Sequence, residues 1–144
     1  MTLEFKPKAK KDEPKVNNSM EPIEPAKFIS YLFSCRTALH IMHLKTNSFA
    51  AHKALNKLYD NLLDITDSIA EKVSGCMGKH LTGFVDFPVA EYQDDDPATY
   101  VKEIKDYVQK DRYYHFPKNY TPIQNIIDEL VSELDEALYL LSLK

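Results

Sequence analysis

Apolar residues recur at helical spacing along most of the chain, and this pattern predicts four helices, over about 25–45, 49–74, 97–112 and 121–141. In the first helix they cover a broad face, made up of Phe28, Ile29, Leu32, Phe33, Leu39, Met42 and Leu44. In the second they alternate steps of four and three residues, at Ala51, Leu55, Leu58, Leu62, Ile65 and Ile69. This alternation is typical of a helix that packs along a bundle.

Residues that start and stop helices lie between these segments. Pro25 suits a first helical turn, and Ser48 is a suitable N-cap for the second helix. Gly75 is expected to stop that helix. Asp96 followed by proline predicts the start of the third helix. The run Thr-Pro-Ile-Gln at 121–124 predicts a capping box at the start of the fourth. The first two helices, joined by so short a loop, must be antiparallel neighbours.

The segment 76–95 lacks clear periodicity and separates the second helix from the third. A helix over 49–74 is about 39 Å long at ~1.5 Å per residue. An extended connector of this length covers more than that at ~3.3 Å per residue, so it can return along the whole bundle. The predicted fold class is therefore all-α: a ferritin-like four-helix bundle with a long crossover between helices 2 and 3.

Residues 1–21 differ in composition from the rest and are predicted to be a flexible, lysine-rich arm, which leaves 22–144 for the bundle. The lysines of this arm are Lys6, Lys8, Lys10, Lys11 and Lys15. Two interpretations stay open for it. It is a solvated tail, or it is an arm that touches the phosphates of DNA without reading sequence.

Composition narrows the class of protein. The formal net charge of −4 argues against a body that binds nucleic acid generally. Three glycines and no tryptophan favour helices over a turn-rich β fold. Cys35 and Cys76 form no disulfide framework or CxxC pair, so the expected compartment is reducing and cytoplasmic. No apolar run is long enough to span a membrane, and the N-terminus has no signal-peptide core.

His40, His52, Asp67 and Glu71 carry the candidate chemistry. Asp67 and Glu71 are four residues apart and share one helix face. Two carboxylates and two imidazoles suit iron or another transition metal. His52 and Asp67 are roughly 22 Å apart on one helix, so a single subunit cannot close the site. In a two-fold dimer that pairs the second helices antiparallel, one chain's carboxylates would meet the other's histidines.

These residues also carry a resemblance to a known family. The run HIMHLKTNSFAAH at 40–52 and the run DSIAEK at 67–72 resemble the Dps proteins (DNA-binding proteins from starved cells), a branch of the ferritin superfamily. The spacing of the four candidate ligands matches that family without a gap. The last helix is also similar, with Tyr139 near the family's usual tryptophan.

The resemblance implies an iron-storage protein with a ferroxidase centre at a two-fold dimer interface, usually within a hollow twelve-subunit shell. It implies that His40, Asp67 and Glu71 hold one iron and that His52 helps with a second. Asn56 departs from the pattern, because the family normally supplies a further carboxylate there, and a neutral amide is a poorer ligand for a hard cation. Ile41 and Lys72 replace the usual tryptophan and arginine.

A second interpretation needs no metal. The chain would then be a non-catalytic ferritin-like structural or assembly module with a degenerate site, working within a larger complex such as a phage particle. A histidine at a helix end is often only a cap or a surface group, and Asp67 and Glu71 alone would often be solvated acids. Metal content together with oligomeric mass distinguishes the two interpretations.

Overall fold

The computed structural model describes residues 15–89 and 96–143, and within them the chain forms four helices and no strand. These are α1 (Pro25–Lys45), α2 (Phe49–Met77), α3 (Pro97–His115) and α4 (Thr121–Leu141). The predicted all-α four-helix bundle is confirmed. None of these helices is both long and apolar enough to cross a membrane.

The helix starts largely follow the local sequence. Proline occupies the first turn of α1, α3 and α4. The Ser48 side chain accepts a hydrogen bond from the amide of Ala51, and that of Asp96 accepts one from Ala98. Both side chains therefore satisfy an amide that the helix itself leaves without a partner.

The helix ends differ from the prediction in two places. Gly75 does not stop α2, which continues to Met77 and ends at Gly78. Gly78 has a φ of 66°, a left-handed conformation that glycine adopts at little cost, and this makes it the C-cap. Helix α3 also extends beyond the predicted end, to His115.

The predicted capping box at the start of α4 is wrong. Thr121 is already helical, and Tyr120 occupies the N-cap position without a side-chain cap bond. The Gln124 amide instead donates to the carbonyls of Phe116 and Pro117, and its oxygen accepts from Arg112. Gln124 therefore ties α4 to the end of α3 instead of capping its own helix.

The helices form a ring in which α1 packs on α2, α2 on α4, α4 on α3 and α3 on α1. Lys57 pairs with Glu136 at 2.7 Å and Asn61 donates to Glu133, so α2 and α4 are antiparallel. The ring of Phe28, near the start of α1, lies against His115 at the end of α3, so these helices are antiparallel as well. Helices α2 and α3 therefore run in the same direction.

The parallel directions of α2 and α3 are compatible with the predicted crossover, a connector that returns along the bundle. That path stays a prediction, and the described part of the connector packs beside α1. The amide of Val85 donates to the Ser30 hydroxyl at 3.1 Å, and the Phe87 ring meets Tyr31 edge to face at 5.6 Å. Both partners lie near the start of α1. Residues 90–95 of the connector lie outside the described residues.

The core is continuous and comes from all four helices. Burying one Leu, Ile or Phe side chain contributes about 1.5–3 kcal/mol, so this core is the main source of stability. The predicted seams of α2 and α4 supply much of it, through Leu55, Leu58, Leu62, Ile69, Ile123, Ile127, Leu130 and Leu134. In α1 the expected apolar face is too broad: Phe33 is 38% exposed and Leu44 is 70% exposed.

The segment before α1 packs on the end of α3. Asn17 is buried, and its amide donates to the carbonyl of Tyr113. The amide of Ile23 donates to the carbonyl of His115 at 2.8 Å. Asn17 belongs to the predicted arm, and Ile23 lies just after it. A segment with few apolar residues is held here by a buried asparagine and by hydrogen bonds to the backbone of α3. Residues 1–14 of the arm lie outside the described part of the chain.

Candidate metal centre

Two histidines, His43 and His52, hold the turn between α1 and α2 together, and we call this pair the histidine clasp. The Nδ1 of His43 donates to the backbone carbonyl of His52 at 2.7 Å, and the Nδ1 of His52 donates to the carbonyl of His43 at 3.0 Å. Their rings stack at 3.7 Å with planes 20° apart. Since a carbonyl only accepts, the proton sits on Nδ1 in both rings. In the neutral form of either ring the free lone pair is then on Nε2, and this is the form in which histidine binds metals.

His43 is buried and His52 is half-buried. His43 was not among the candidate ligands, and its hydrogen-bond partner is the backbone of His52. The turn brings two residues nine positions apart into direct contact, and a sequence pattern does not show such a reciprocal pair.

His40, the other predicted ligand on α1, lies one turn before this clasp, and its ring stacks on Tyr59 of α2 at 4.2 Å. Arg36 also lies over the Tyr59 ring, with its guanidinium carbon 5.4 Å from the centroid. The Tyr59 hydroxyl donates to the side-chain oxygen of Asn56 at 2.7 Å. Asn56 thus lies close to the histidines, at the position where the resemblance expects a carboxylate.

Asp67 and Glu71 lie farther along α2 and are exposed. Neither forms an ion pair or a hydrogen bond with any residue of the described chain. The structure therefore brings His40 close to the pair formed by His43 and His52 and keeps the two carboxylates away. Across residues 15–89 and 96–143, no three His, Cys, Asp or Glu side chains are arranged to hold a metal ion. That four ligands meet across a dimer stays a prediction.

The outer side of the α1–α2 hairpin carries exposed apolar side chains beside the candidate ligands. Phe33 is partly exposed, Leu63 is half-buried, and Leu44 and Phe49 at the turn are 70% and 74% exposed. We call these four residues the hairpin patch. Apolar side chains that are exposed in this way would suit a surface that contacts another protein.

A tyrosine cluster in the core was not anticipated from the sequence. The rings of Tyr31 and Tyr107 stack at 3.6 Å, and Cys35 lies buried close by. Burial raises the pKa of the Cys35 thiol to about 11 and raises the pKa values of both tyrosines. These groups stay protonated at neutral pH and act as packing. The only signal in the sequence was Tyr31 and Cys35 on one face of α1.

Two further groups were not singled out from the sequence. Arg112 is buried and donates to the side chain and the carbonyl of Gln124, and it pairs with Asp128 at 2.6 Å. His115 donates through Nδ1 to the carbonyl of Ile23 at 2.7 Å, and burial lowers its pKa. Both tie α3 to neighbouring segments at the end of the bundle opposite the histidine clasp.

Comparisons with known proteins add a family but no activity. The model of a family of unknown function (DUF5856) matches residues 43–141, which include His52, Asp67 and Glu71 but not His40. The chain is also 28% identical over 129 residues to an uncharacterized 14.6 kDa protein in the mobD-ri intergenic region of Enterobacteria phage T4. This alignment covers 89% of the chain and 95% of the phage protein. No solved structure matches. Because the family model covers most of the bundle, the chain belongs to this family of unknown function (DUF5856).

Proposed function

We propose that the protein is a Dps-like iron-binding ferroxidase and iron-storage protein whose metal site is shared between two subunits. One observation carries this proposal: Asp67 and Glu71 are exposed and have no partner in the described chain, while His40 and His52 lie at the other end of the same hairpin. Neither the two histidines nor the two carboxylates form a complete ligand set alone. A two-fold axis brings the histidines of each subunit to the carboxylates of the other, so that two equivalent sites form.

The proposed dimer pairs the α1–α2 hairpins antiparallel. His40 of one subunit then lies near Asp67 of the partner subunit, and a second, equivalent site forms by symmetry. The hairpin patch supports this arrangement, because pairing would remove its apolar side chains from water. Two free cysteines suit the reducing cytoplasm in which we place the protein.

Fe(II) is the substrate in this proposal. His40 and the two carboxylates bind the first ion, and His52 with Glu71 binds the second more weakly. Each Fe(II) loses one electron, and one peroxide accepts two electrons and two protons to form two waters. The fixed Nδ1 proton of His52 supports this role, because it directs the free Nε2 lone pair to the ion.

Anaerobic Fe(II) titration of the purified oligomer, followed by peroxide, tests the proposal. We expect one to two irons per chain and fast oxidation, as the ligand set requires. His40→Ala and Glu71→Ala should each lower the oxidation rate at least about tenfold while helical content stays unchanged. His80→Ala and Glu129→Ala are matched controls, since both residues are exposed and lie outside the site. Unchanged oxidation in both site variants would contradict the proposal.

A second candidate function is a non-catalytic assembly module. The histidine clasp supports it, because its hydrogen bonds give His43 and His52 a structural role without any metal. The neutral Asn56 supports it as well. The similarity to a phage T4 protein makes a viral complex one setting for such a module. This candidate predicts a stable oligomer that takes up no iron in the same titration.

A further inference from the structure

Arg36 on α1 has a guanidinium nitrogen without a partner. Its Nε is buried, and no acceptor for it exists among the described residues. The guanidinium instead lies against the ring of Tyr59. A covered N–H of a charged group without an acceptor is costly, and native structures rarely leave one. The covered Nε is out of reach of a second molecule, but the Arg36 side chain as a whole is half-buried and has no ion pair within the described residues, so its terminal nitrogens are the donors that a partner's carboxylate would meet.

Asp60 is the complementary group. It follows Tyr59 on α2, so it lies at nearly the same height along the hairpin as Arg36. Asp60 is exposed and has no ion pair or hydrogen bond within the described chain. One hairpin thus carries an unpaired cation on α1 and an unpaired anion on α2 at nearly the same height, close to its midpoint, without bringing them into contact.

A two-fold axis across the hairpin exchanges these groups. The axis that pairs His52 with the partner subunit's Asp67 passes midway between positions 52 and 67 of α2, which is beside Tyr59 and Asp60. Residues at the level where the axis crosses the hairpin therefore lie opposite residues at the same level of the other subunit. We infer that Arg36 of each subunit forms an ion pair with Asp60 of the partner subunit, so that two such pairs flank the axis.

This inference rests on the two-fold dimer of the proposed function and assigns its central contact. Because this surface carries both an unpaired cation and an unpaired anion, it is complementary in charge to a second copy of the same chain. Phe33 and Leu63 lie beside the same midpoint and would shield the two ion pairs from water. An ion pair that is partly shielded from solvent contributes more to the specificity of a dimer than a fully exposed pair does.

A charge swap tests the pairing, with the dimer dissociation constant measured by sedimentation equilibrium. We expect Asp60→Arg to raise this constant about tenfold or more, because it places two cations opposite each other at each contact. Arg36→Glu should act in the same way. The double variant restores the pair in reverse and should return to within about threefold of the natural chain. Asp106→Arg and Lys110→Glu, on the exposed face of α3, are the matched controls and should leave the constant unchanged.

The outcomes separate this inference from the iron proposal. Failure of the double variant to recover, in a chain that dimerises and binds iron, overturns the ion pair alone. Recovery in a dimer that binds no iron supports the pair and overturns the iron site. A natural chain that stays monomeric at high concentration overturns both. If Arg36→Glu unfolds through the loss of its contact with Tyr59, an unchanged constant in Asp60→Arg still overturns the pairing.

Discussion

Asn56 lies one turn after His52, and its side-chain oxygen accepts the hydroxyl proton of Tyr59. An aspartate at this position keeps that hydrogen bond, because a carboxylate oxygen accepts it equally well. The substitution therefore changes the charge beside the histidines while it leaves the local contacts in place. This makes Asn56 the most direct residue at which to test the proposed site.

Asn56→Asp should tighten Fe(II) binding by roughly tenfold or more, because it adds a unit charge within a few ångströms of the proposed ion. Isothermal titration with Fe(II) under anaerobic conditions measures the effect. Asn125→Asp adds the same charge on the exposed face of α4 and should leave the affinity unchanged. Equal affinities in the natural chain and Asn56→Asp would mean that no iron sits beside this turn.

Individual residues were predictable only where their role is local. The caps of Ser48 and Asp96 follow from a side chain and an amide two or three residues away, and both are confirmed. The partner of His43 was not predictable, because its carbonyl acceptor depends on how the α1–α2 turn closes. That the four ligands assemble stays a prediction, since their meeting depends on a second subunit.

At the scale of helices, two ion pairs join α3 to α4 in different surroundings. Arg112 is buried, and three hydrogen bonds lead from it to Gln124 and Asp128. Lys105 pairs with Asp135 at 2.7 Å, and these two side chains are 34% and 53% exposed. The two pairs therefore separate the effect of burial from the effect of charge at one helix interface.

Arg112→Ala should lower the free energy of unfolding by about 2–3 kcal/mol, because it leaves the buried side-chain oxygen of Gln124 without a donor. Lys105→Ala, the matched control, should cost less than about 1 kcal/mol. Urea unfolding followed by circular dichroism measures both values. Equal losses would show that the Arg112 hydrogen bonds contribute no more than an exposed pair.

The helices themselves were largely predictable, because apolar spacing and helix-starting residues act within a few turns. The start of every helix agrees with the prediction, but the ends of α2 and α3 do not. Both Gly75 and Gly78 are suitable stop residues. Only the backbone shows that Gly78 adopts the left-handed conformation. The connection of α3 to α4 through Arg112 was missed, since it joins residues from two helices.

At the scale of the whole molecule, the predicted lysine arm remains a hypothesis for DNA binding. Asn17 anchors the chain at the bundle, so removal of residues 1–15 deletes all five lysines and spares this contact. We expect the truncated chain to lose any DNA band shift, and the full chain to bind less as salt rises, because phosphate contacts release counterions. Replacing the five lysines with glutamine should act in the same way. A band shift that survives truncation would assign DNA binding to the bundle.

The parallel directions of α2 and α3 were predictable, because the connector between them is long enough to return along α2, while the path of that crossover stays a prediction. The breadth of the apolar face on α1 was not predictable. A sequence pattern does not distinguish an apolar side chain that faces the core from one that lies on the surface, and Phe33 and Leu44 lie on the surface.

The alternation of helix directions has a consequence for the electric field of the bundle. Each end of the molecule carries two helix N-termini and two helix C-termini, because α1 and α4 run one way and α2 and α3 run the other. The partial charges of the four helix dipoles therefore cancel at both ends. The approach of a cation to the described residues then depends on side-chain charge, and α2 presents four exposed carboxylates along its length, Asp60, Asp64, Asp67 and Glu71.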